Sequence, residues 1–372
     1  MVRFLHLQDM PVYSNVLLPT REQALDVPLG NLDLAWCGQC GHVFNLAFDA
    51  SRMDYTPAYE NSLHFSPGFQ KYAEDLSLHL VRSHDVRNKV VIDIGCGKGD
   101  FLATICKAGG NRGIGFDRSY SRDAATHEAG LDLTFVAEFF DEKDGAYLPD
   151  LICCRHVLEH MEAPREFLRV IRCALAEKNE AVVFFEVPNA AYTIRDMGIW
   201  DLIYEHCSYF SENSLLTLFQ SSGFVVKNLS QLYSGQYLGI EATVGDAPVA
   251  RPPAVHSDEV AAFPARYAAK IEFWREELAR FERAGRRTVI WGAGSKGITF
   301  LNVLAAQSID FVIDINPRKH GRYVAGTGAQ VMPPGFLAEY RPHLVIAMNP
   351  VYGDEISSYL RSMGLSSDLR FA

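Results

Sequence analysis

Hydrophobic and polar residues follow three different patterns along the chain. Over residues 1–68 the prolines interrupt every long pattern, which predicts an irregular region. Apolar residues then recur at helical spacing over 69–84, and strand and helix patterns alternate from Val90 to about Gly245. A second strand, turn and helix series starts at Thr288. This order predicts an α/β protein with a central unit and a second unit at the carboxyl end.

A proline-rich stretch divides the two α/β units. DAPVARPPAVHS (246–257) is typical of a linker. A long helical pattern follows over about 258–284, and we expect this helix to break near Pro264. We therefore divide the chain into residues 1–68, an N-terminal lid; residues 69–245, the central domain; and residues 246–372, which contain the linker, the long helix and the C-terminal domain.

Composition limits the classes of function. The chain has 372 residues, of which 48% are hydrophobic and 22% charged, as in folded globular proteins. Its formal net charge of −10 argues against a broad basic surface, so we expect no nucleic-acid partner. No apolar stretch reaches the roughly 18 residues of a membrane span, and the start lacks a signal-peptide core. We therefore expect a cytoplasmic protein with no membrane partner.

The first Gly-rich turn lies in KVVIDIGCGKGDFLATI (89–105), between a buried strand pattern and a helix. The next strand ends at Asp117, where a carboxylate can accept hydrogen bonds from ribose hydroxyls. Asp93 precedes the first glycine; it would repel a pyrophosphate but suits the ammonium group of an amino acid. The glycines follow a G-x-G-x-G pattern, unlike the dinucleotide G-x-G-x-x-G, and lie at Gly95, Gly97 and Gly99.

These features, with DLICC (150–154), RHVLEHM (155–161) and VVFFEVPN (182–189), resemble the class I S-adenosylmethionine (SAM)-dependent methyltransferases. The resemblance implies a Rossmann-like core with SAM as cofactor. It also implies that the glycine turn, Asp93 and Asp117 bind SAM. His156 and His160 would lie next to the bound cofactor. The alternative is a doubly wound domain that binds another nucleotide.

A narrower resemblance follows the fifth strand. IWDLIYEHCSYFSENSLLTLFQSSGF (199–224) is similar to the loop and helix of sugar C-methyltransferases, whose loop reads Y-H-E-H-x-x-Y-F-S. The sequence departs from that pattern at Ile203 and Tyr204. The stretches 59–73 and 288–328 are also similar to that family, which implies a nucleotide-activated keto-deoxysugar as acceptor and a second Rossmann-like domain that holds it. The positions that match the loop are Glu205, His206, Tyr209, Phe210 and Ser211.

The chemistry of carbon methylation explains a histidine in this loop. A proton next to a ketone can be removed by a base with a pKa near the working pH, which suits histidine. We expect His206 to be this base and Glu205 to orient it or to contact a sugar hydroxyl. Tyr204 or Tyr209 would stabilise the enolate oxygen, although Tyr209, like Phe210, better suits a core or helix-entry position. Ile203 stands where the family's loop has tyrosine, so the expected site lacks one hydroxyl group. An O- or N-methyltransferase is therefore the alternative interpretation.

The second Gly-rich turn, in TVIWGAGSKGITFL (288–301), has a true G-x-G-x-x-G pattern, and Asp314 ends the next strand. Alone it would suggest NAD, but the remaining chain is too short for a full dinucleotide fold. The resemblance instead implies contact with the nucleotide sugar, with a phosphate near the helix start; a purely structural role is the alternative. The residues expected at the substrate are Gly292, Gly294, Ser295 and Lys296, together with Asn189, Tyr59 and His64, while Tyr55 is a weaker candidate.

Cys37 and Cys40 have the spacing of half a zinc site. The resembling family carries an earlier C-x-x-C pair, and no cysteine precedes Cys37 here, so the lid would be the remnant of a zinc-binding domain. His6 and His42 are possible further ligands, and two free thiols are the alternative. For the whole chain, the rival to a methyltransferase is a non-catalytic protein that binds a nucleotide sugar or dinucleotide.

Overall fold

Three β-sheets organise the molecule in a computed structural model that describes residues 1–53, 59–120, 130–246, 257–306 and 308–372. Tyr55 and most of the predicted linker lie outside the described residues. The predicted division into three domains stays a prediction, because one strand of the N-terminal sheet comes from within residues 69–245 and one hydrophobic core joins the N-terminal and C-terminal sheets.

The N-terminal region forms an antiparallel sheet, where the sequence predicted an irregular region. Its elements are β1 (Val2–Pro11), α1 (Arg21–Leu25), β2 (Leu29–Trp36), β3 (Val43–Asn45) and β9 (Ser208–Tyr209). The strand order is β1-β2-β3-β9. Strand β9 is encoded within the central domain, between β8 (Val182–Pro188) and β10 (Phe224–Leu232) of the central sheet. The prolines do not prevent strands, because Pro11 is the last residue of β1 and Pro28 stands just before β2.

The central sheet has seven strands and is the predicted class I methyltransferase sheet. Its strands are β4 (Val90–Ile94), β5 (Arg112–Phe116), β6 (Leu133–Val136), β7 (Leu151–Arg155), β8 (Val182–Pro188), β10 (Phe224–Leu232) and β11 (Tyr237–Val244), and the helices are α2 (Pro67–Ser83), α3 (Asp100–Gly109), α4 (Pro164–Ala174), α5 (Ala190–Ile194) and α6 (Glu212–Ser221). The strand order is β10-β11-β8-β7-β4-β5-β6. All neighbours are parallel except β11, which runs antiparallel to β8 and to β10.

Both faces of the central sheet are buried, which explains the apolar runs of its parallel strands. Cys153 and Cys154 are adjacent on β7, and each is fully buried in a different core cluster. They therefore point to opposite faces, as successive residues of a strand do.

The C-terminal region begins with the long helix α7 (Ser257–Arg283), which runs through Pro264 without the expected break. Proline costs one backbone hydrogen bond there, but a buried stripe that includes Phe263, Tyr267 and Trp274 packs along the helix and holds it. The elements that follow are β12 (Thr288–Trp291), α8 (Ser295–Val303), β13 (Phe311–Ile313), β14 (Gln330–Met332), α9 (Leu337–Tyr340), β15 (Leu344–Ala347), α10 (Gly353–Ser362) and β16 (Asp368–Phe371). The five strands are parallel and lie in the order β14-β13-β12-β15-β16.

One hydrophobic core joins the N-terminal sheet, α7 and the C-terminal sheet. Phe4 of β1 packs edge-on against Phe263 of α7 with ring centroids 5.8 Å apart. Further along the same buried stripe of α7, Trp274 packs against Phe300 at 5.4 Å. The N-terminal and C-terminal sheets are thus held together through α7. In the described part of the chain, no helix has the length and apolar composition that crossing a membrane requires.

Candidate active site

The segment after β8 carries the predicted catalytic residues Glu205 and His206, and two sheets hold it. Its strand β9 pairs with β3 of the N-terminal sheet, and Phe210 bridges to Asn189 at the end of β8. Ser211 then caps α6, because its Oγ accepts a hydrogen bond from the N–H three residues further on. The segment is therefore fixed at its carboxyl end against both the N-terminal and the central sheets.

A cavity of about 250 Å³ lies where residues of all three regions meet. A small molecule bound there would touch the N-terminal segment, the central domain and the C-terminal domain together. The lining residues that matter below are Tyr59, His156, Glu159, His160, Asp201, Ile203, His206, Tyr237, Gly292, Gly294, Ser295 and Lys296.

His206 is buried, with 8% of its surface exposed, and it lines the cavity. Burial, followed by the nearby His160, lowers the pKa of His206 to about 3. Within the described residues its Nδ1 has no hydrogen-bond partner. At neutral pH the ring is therefore uncharged and has a lone pair, although by itself it is a weak base.

Glu205 is fully buried and binds the N-terminal segment; it is not among the cavity-lining residues. Tyr59 Oη donates a hydrogen bond to its Oε2 at 2.6 Å, and the Ser14 N–H donates to Oε1. Burial raises the pKa of Glu205 above its usual range. Its backbone carbonyl lies 2.9 Å from His160 Nδ1, so the residue contacts the cavity wall through its backbone.

Both predicted catalytic tyrosines use their hydroxyl groups elsewhere. Tyr204 Oη accepts a hydrogen bond from the Asp49 N–H at 3.0 Å, and its ring packs on Gly30, where a Cβ would lie 2.3 Å from Tyr204 Cε2. Tyr209 Oη donates to the Ile203 carbonyl at 3.2 Å. Neither tyrosine lines the cavity, so the predicted contact with an enolate oxygen has no counterpart in this geometry.

Glu159, which was not among the predicted site residues, lies beside His206. One potential ligand atom from each of Glu159, His160 and His206 falls within 4.8 Å of the others. Two imidazoles and a carboxylate form a donor set that divalent metals use. The signal was present in RHVLEHM, where Glu159 stands next to one predicted histidine and three residues after His156.

A buried charge network extends from the same segment into the central sheet. Arg155 Nη2 donates to Glu186 Oε1 at 2.8 Å, His156 Nε2 lies 2.8 Å from the same oxygen, and Tyr72 Oη donates to the other. Although burial opposes both shifts, Arg155 and His156 lower the pKa of Glu186 to about 2, and Glu159 and Glu186 raise the pKa of His156 to about 9. His156 is thus a cation at neutral pH. Sequence reasoning missed Arg155, Glu186 and Tyr72, because only the fold brings them together.

The glycine turn after β4 has the backbone that the cofactor prediction requires. Gly95, Gly97 and Gly99 all have positive φ, at 71°, 56° and 85°. At Gly95 a Cβ would also lie 2.2 Å from Val157 Cγ2, which belongs to the segment that contains His156. Only glycine gives this turn both its conformation and its closeness to the segment.

Two aspartates flank this turn, as predicted. Asp117 accepts hydrogen bonds from the Gly97 N–H at 2.8 Å and from the N–H and hydroxyl of Ser119, each at 2.7 Å, so it shapes the turn. Asp93 is buried on β4, and burial, together with the charge of Asp117, raises its pKa to about 7. The turn and the two carboxylates fit a cofactor that carries ribose hydroxyls and an ammonium group.

The second glycine turn contributes the C-terminal wall of the cavity. Gly292, Gly294, Ser295 and Lys296 line it, and α8 begins at Ser295 without a side-chain cap. Lys296 Nζ donates to Gln236 Oε1 at 2.7 Å and lies 3.3 Å from Asp201 Oδ2, so the central domain holds this lysine.

Asp314, the residue that would bind the ribose of NAD, is engaged by its own turn. Its Oδ2 accepts the Ala293 N–H and its Oδ1 accepts the Asn316 N–H, each at 2.8 Å. Lys319 Nζ lies 3.5 Å from Oδ2. Each oxygen thus has a structural partner, as both oxygens of Asp117 do in the first glycine turn, and Asp314 also lines the cavity.

Two predicted substrate residues lie outside the cavity lining. Asn189 caps α5: its Oδ1 accepts the Ala191 N–H at 3.0 Å and its Nδ2 donates to the Gly235 carbonyl at 2.9 Å. His64 packs edge-on against Phe69 at 5.3 Å and lines a separate hollow beside α2 and α3. Their predicted contacts with substrate are not supported by this arrangement.

The Cys37–Cys40 turn supplies two thiols. The Gly41 N–H donates to the Cys37 carbonyl at 2.8 Å, and the two side chains are close enough to hydrogen-bond. His42 faces Ser208 Oγ at 3.2 Å and stacks on Phe44, and burial lowers its pKa to about 4. In the described ranges no cluster of three metal-ligating residues contains either cysteine. The residues present therefore do not fit a complete structural zinc site, which takes four ligands.

Comparisons with known proteins agree with this architecture. A methyltransferase domain family matches residues 68–229, and a C-methyltransferase C-terminal domain family matches residues 254–366. The C-methyltransferase NovU of Streptomyces niveus is 27% identical over 293 residues, which cover 72% of this chain and 68% of NovU.

More distant similarities cover less of the chain. A ubiquinone biosynthesis O-methyltransferase of Vibrio campbellii is 32% identical over 133 residues, 34% of this chain, and the match spans about half (54%) of that enzyme. Among solved structures, the magnesium protoporphyrin IX methyltransferase ChlM of Synechocystis, with bound SAH, has a TM-score of 0.36 and 16% identity, covering 48% of this chain and 84% of that chain.

Proposed function

Because its matched domains make this protein a SAM-dependent methyltransferase with a C-terminal domain of the C-methyltransferase family, we propose that its acceptor is a nucleotide-activated keto-deoxysugar. The observation that carries the proposal is the shared cavity. One wall holds His206, and another holds the start of α8 with its second glycine turn. A base and an anion-binding helix start would then act on one elongated acceptor.

His206 is the proposed base. A ketone acidifies the neighbouring C–H, so a neutral imidazole can take that proton and leave the electron pair on the acceptor as an enolate. The lone pair of the uncharged His206 ring supplies the acceptor site for the proton. The methylated carbon would be C3 if the keto group is at C4.

The glycine turn after β4 holds the cofactor in this proposal. Its backbone approaches SAM closely at Gly95, Asp117 binds the ribose hydroxyls, and Asp93 faces the ammonium group. SAM supplies the electrophilic methyl group, and the protein contributes orientation and an electrostatic environment.

The start of α8 binds the diphosphate in this proposal. Gly294 precedes Ser295 without a side-chain cap, so the first N–H groups of the helix remain for an anion. Lys296 adds a positive charge that the central domain already positions. The net charge of −10 does not oppose such a local site.

The decisive experiment has two parts. Calorimetry with SAM checks the cofactor, and NMR in D2O follows exchange of the C3 proton of a nucleoside diphosphate 4-keto-6-deoxyhexose. We expect His206→Ala to lose exchange by about 100-fold or more while SAM affinity stays unchanged. The control is His6→Ala, at an exposed position on β1. Full exchange in His206→Ala would exclude this residue as the base.

A second candidate is O- or N-methylation of another small acceptor. Ile203 lines the cavity at the position where the sugar C-methyltransferase loop has tyrosine, and O-methyltransferases are among the relatives of the central domain. Methylation with 13C-labelled SAM separates the two, because methyl carbons on carbon, oxygen and nitrogen have distinct chemical shifts. A methyl group on oxygen or nitrogen would replace the sugar C-methylation proposal.

A further inference from the structure

Glu159 is an unusual side chain in this cavity. It lies in a short 3-10 turn (Leu158–His160), only 1% of its surface is exposed, and it lines the cavity. Within the described residues, neither carboxylate oxygen has a hydrogen-bond partner. The nearest ion-pair contact is His156 Nδ1, 3.6 Å from Oε1 and beyond hydrogen-bond distance. Burial opposes the ionisation of this carboxyl group, but His156, His160 and His206 lower its pKa below the usual range, so the three histidines stabilise its negative charge.

The predicted base is within reach of this carboxylate. Glu159, His160 and His206 bring potential ligand atoms within 4.8 Å of one another, and the two imidazole rings are 5.0 Å apart at 73°. His160 and His156 oppose the protonation of His206, whereas Glu159 and the Asp201 backbone favour it. Glu159 is the negative side chain of this set.

The local charge count favours a proton over a metal ion here. Arg155 and His156 are cations and Glu159 and Glu186 are anions, so these four charges balance, while burial raises the pKa of Asp93, which also acts on Arg155, to about 7. A divalent ion on two neutral imidazoles would leave two unmatched positive charges in a buried site, which is unfavourable. One proton on His206 would instead appear together with the negative enolate, and the sum would stay zero.

We propose that Glu159 is the positioning residue of the base. Its carboxylate holds the imidazolium that His206 becomes when it takes the C–H proton of the methyl acceptor. The proposal rests on the proposed function of His206. In the step, the acceptor C–H bond breaks, its electron pair stays on the acceptor as the enolate, and the proton forms an N–H bond on His206. Glu159 stays ionised throughout, and the proton leaves to solvent after the product departs.

The test compares Glu159→Gln, Glu159→Asp and the exposed neighbour Glu162→Gln. The readouts are the rate of C3 proton exchange in a nucleoside diphosphate 4-keto-6-deoxyhexose, its KM, and SAM affinity. We expect Glu159→Gln to lower the exchange kcat about 10- to 100-fold, with KM and SAM affinity changed less than about twofold. Glu159→Asp should recover most of the rate, and Glu162→Gln should match the wild type.

Three outcomes would overturn the proposal. The first is unchanged exchange in Glu159→Gln. The second is a structural role, seen as a lower kcat, a higher KM and a weaker SAM affinity that all change by similar factors. The third is a stoichiometric metal in the purified wild type that Glu159→Gln removes. If the wild type binds SAM but exchanges no proton, the sugar proposal itself fails. The role of Glu159 is then read from 15N-histidine NMR: the His206 ring should protonate at lower pH in Glu159→Gln, and an unchanged titration would contradict the pairing.

Discussion

Tyr59 Oη lies 2.6 Å from Glu205 Oε2, and this hydrogen bond joins the N-terminal segment to the residue that precedes His206. Glu205 is fully buried, so each of its donors offsets the cost of removing a carboxyl group from water. The same contact places the Tyr59 side chain at the cavity wall.

Removing this hydroxyl should weaken both the fold and the site. We expect Tyr59→Phe to lower the free energy of unfolding by about 1–2 kcal/mol, because a buried acceptor loses a donor. Its kcat should fall more than its SAM affinity, because the His206 segment becomes less fixed. Tyr13→Phe is the matched control, since that hydroxyl donates to the Arg52 carbonyl in an exposed contact. Equal effects in the two variants, by denaturant unfolding and kinetics, would contradict the assignment.

A side chain added to the glycine turn after β4 should weaken SAM binding by steric clash. Gly95→Ala should weaken SAM binding at least about 10-fold, because the added Cβ would lie 2.2 Å from Val157 Cγ2 at a φ of 71°. Gly285→Ala controls for the backbone conformation: its φ is 61°, and beyond its chain neighbours no described atom lies within 4 Å of where its Cβ would stand. Calorimetry measures both affinities, and near-native binding by Gly95→Ala would remove the turn from the SAM site.

Asp93 should make SAM binding depend on pH. Its pKa is raised to about 7 by burial, and a bound ammonium group would favour the ionised form. Binding therefore releases protons, and affinity should rise between about pH 6 and 8, until the amino group of SAM loses its own charge. Calorimetry in buffers of different ionisation enthalpy counts the protons. Asp93→Asn should bind more weakly and without this release; if it releases the same number, Asp93 does not face the ammonium group.

Glu241, which is outside the cavity lining, should affect stability alone. Although burial opposes the shift, hydrogen bonds with His84, Asn228 and His79 lower the pKa of its carboxyl group to about 2. A carboxyl group with a depressed folded pKa contributes stability that is present above the unfolded pKa of about 4.3 and is lost as pH falls toward about 2. Glu241→Gln should cost about 1–2 kcal/mol at pH 7, and the difference from the wild type should shrink through this window. Denaturant unfolding at several pH values measures it, and a gap that persists at low pH would contradict the linkage.

The sequence predicted the central and C-terminal sheets well, because buried parallel strands and glycine turns leave strong local patterns. It missed the N-terminal sheet for a physical reason. Strand β1 has no regular alternation of buried and exposed residues, and β9, which completes the sheet, lies more than 150 residues further along the chain. The continuous α7 was missed because tertiary packing outweighs the local penalty of Pro264.

The sequence predicted those residues of the candidate site whose backbone a motif fixes. It missed residues whose role depends on which side chains become buried together. Gly95 and Asp117 follow from spacing within a turn. Tyr204 and Glu159 show the limit: a hydroxyl in the motif is engaged by the Asp49 N–H, and a carboxylate outside the predicted set lies beside His206. Which side chains share a cavity depends on three regions packing together, and no local pattern records that.

The pairing of β9 with β3 also sets how this enzyme can be recombined. The segment with the proposed base His206 contains a strand of the N-terminal sheet, although the chain encodes it within the central domain. An exchange of acceptor specificity between relatives therefore cannot be made at a single crossover after residue 68. The N-terminal sheet and residues 199–211 would have to be transplanted together, as one unit split across the sequence.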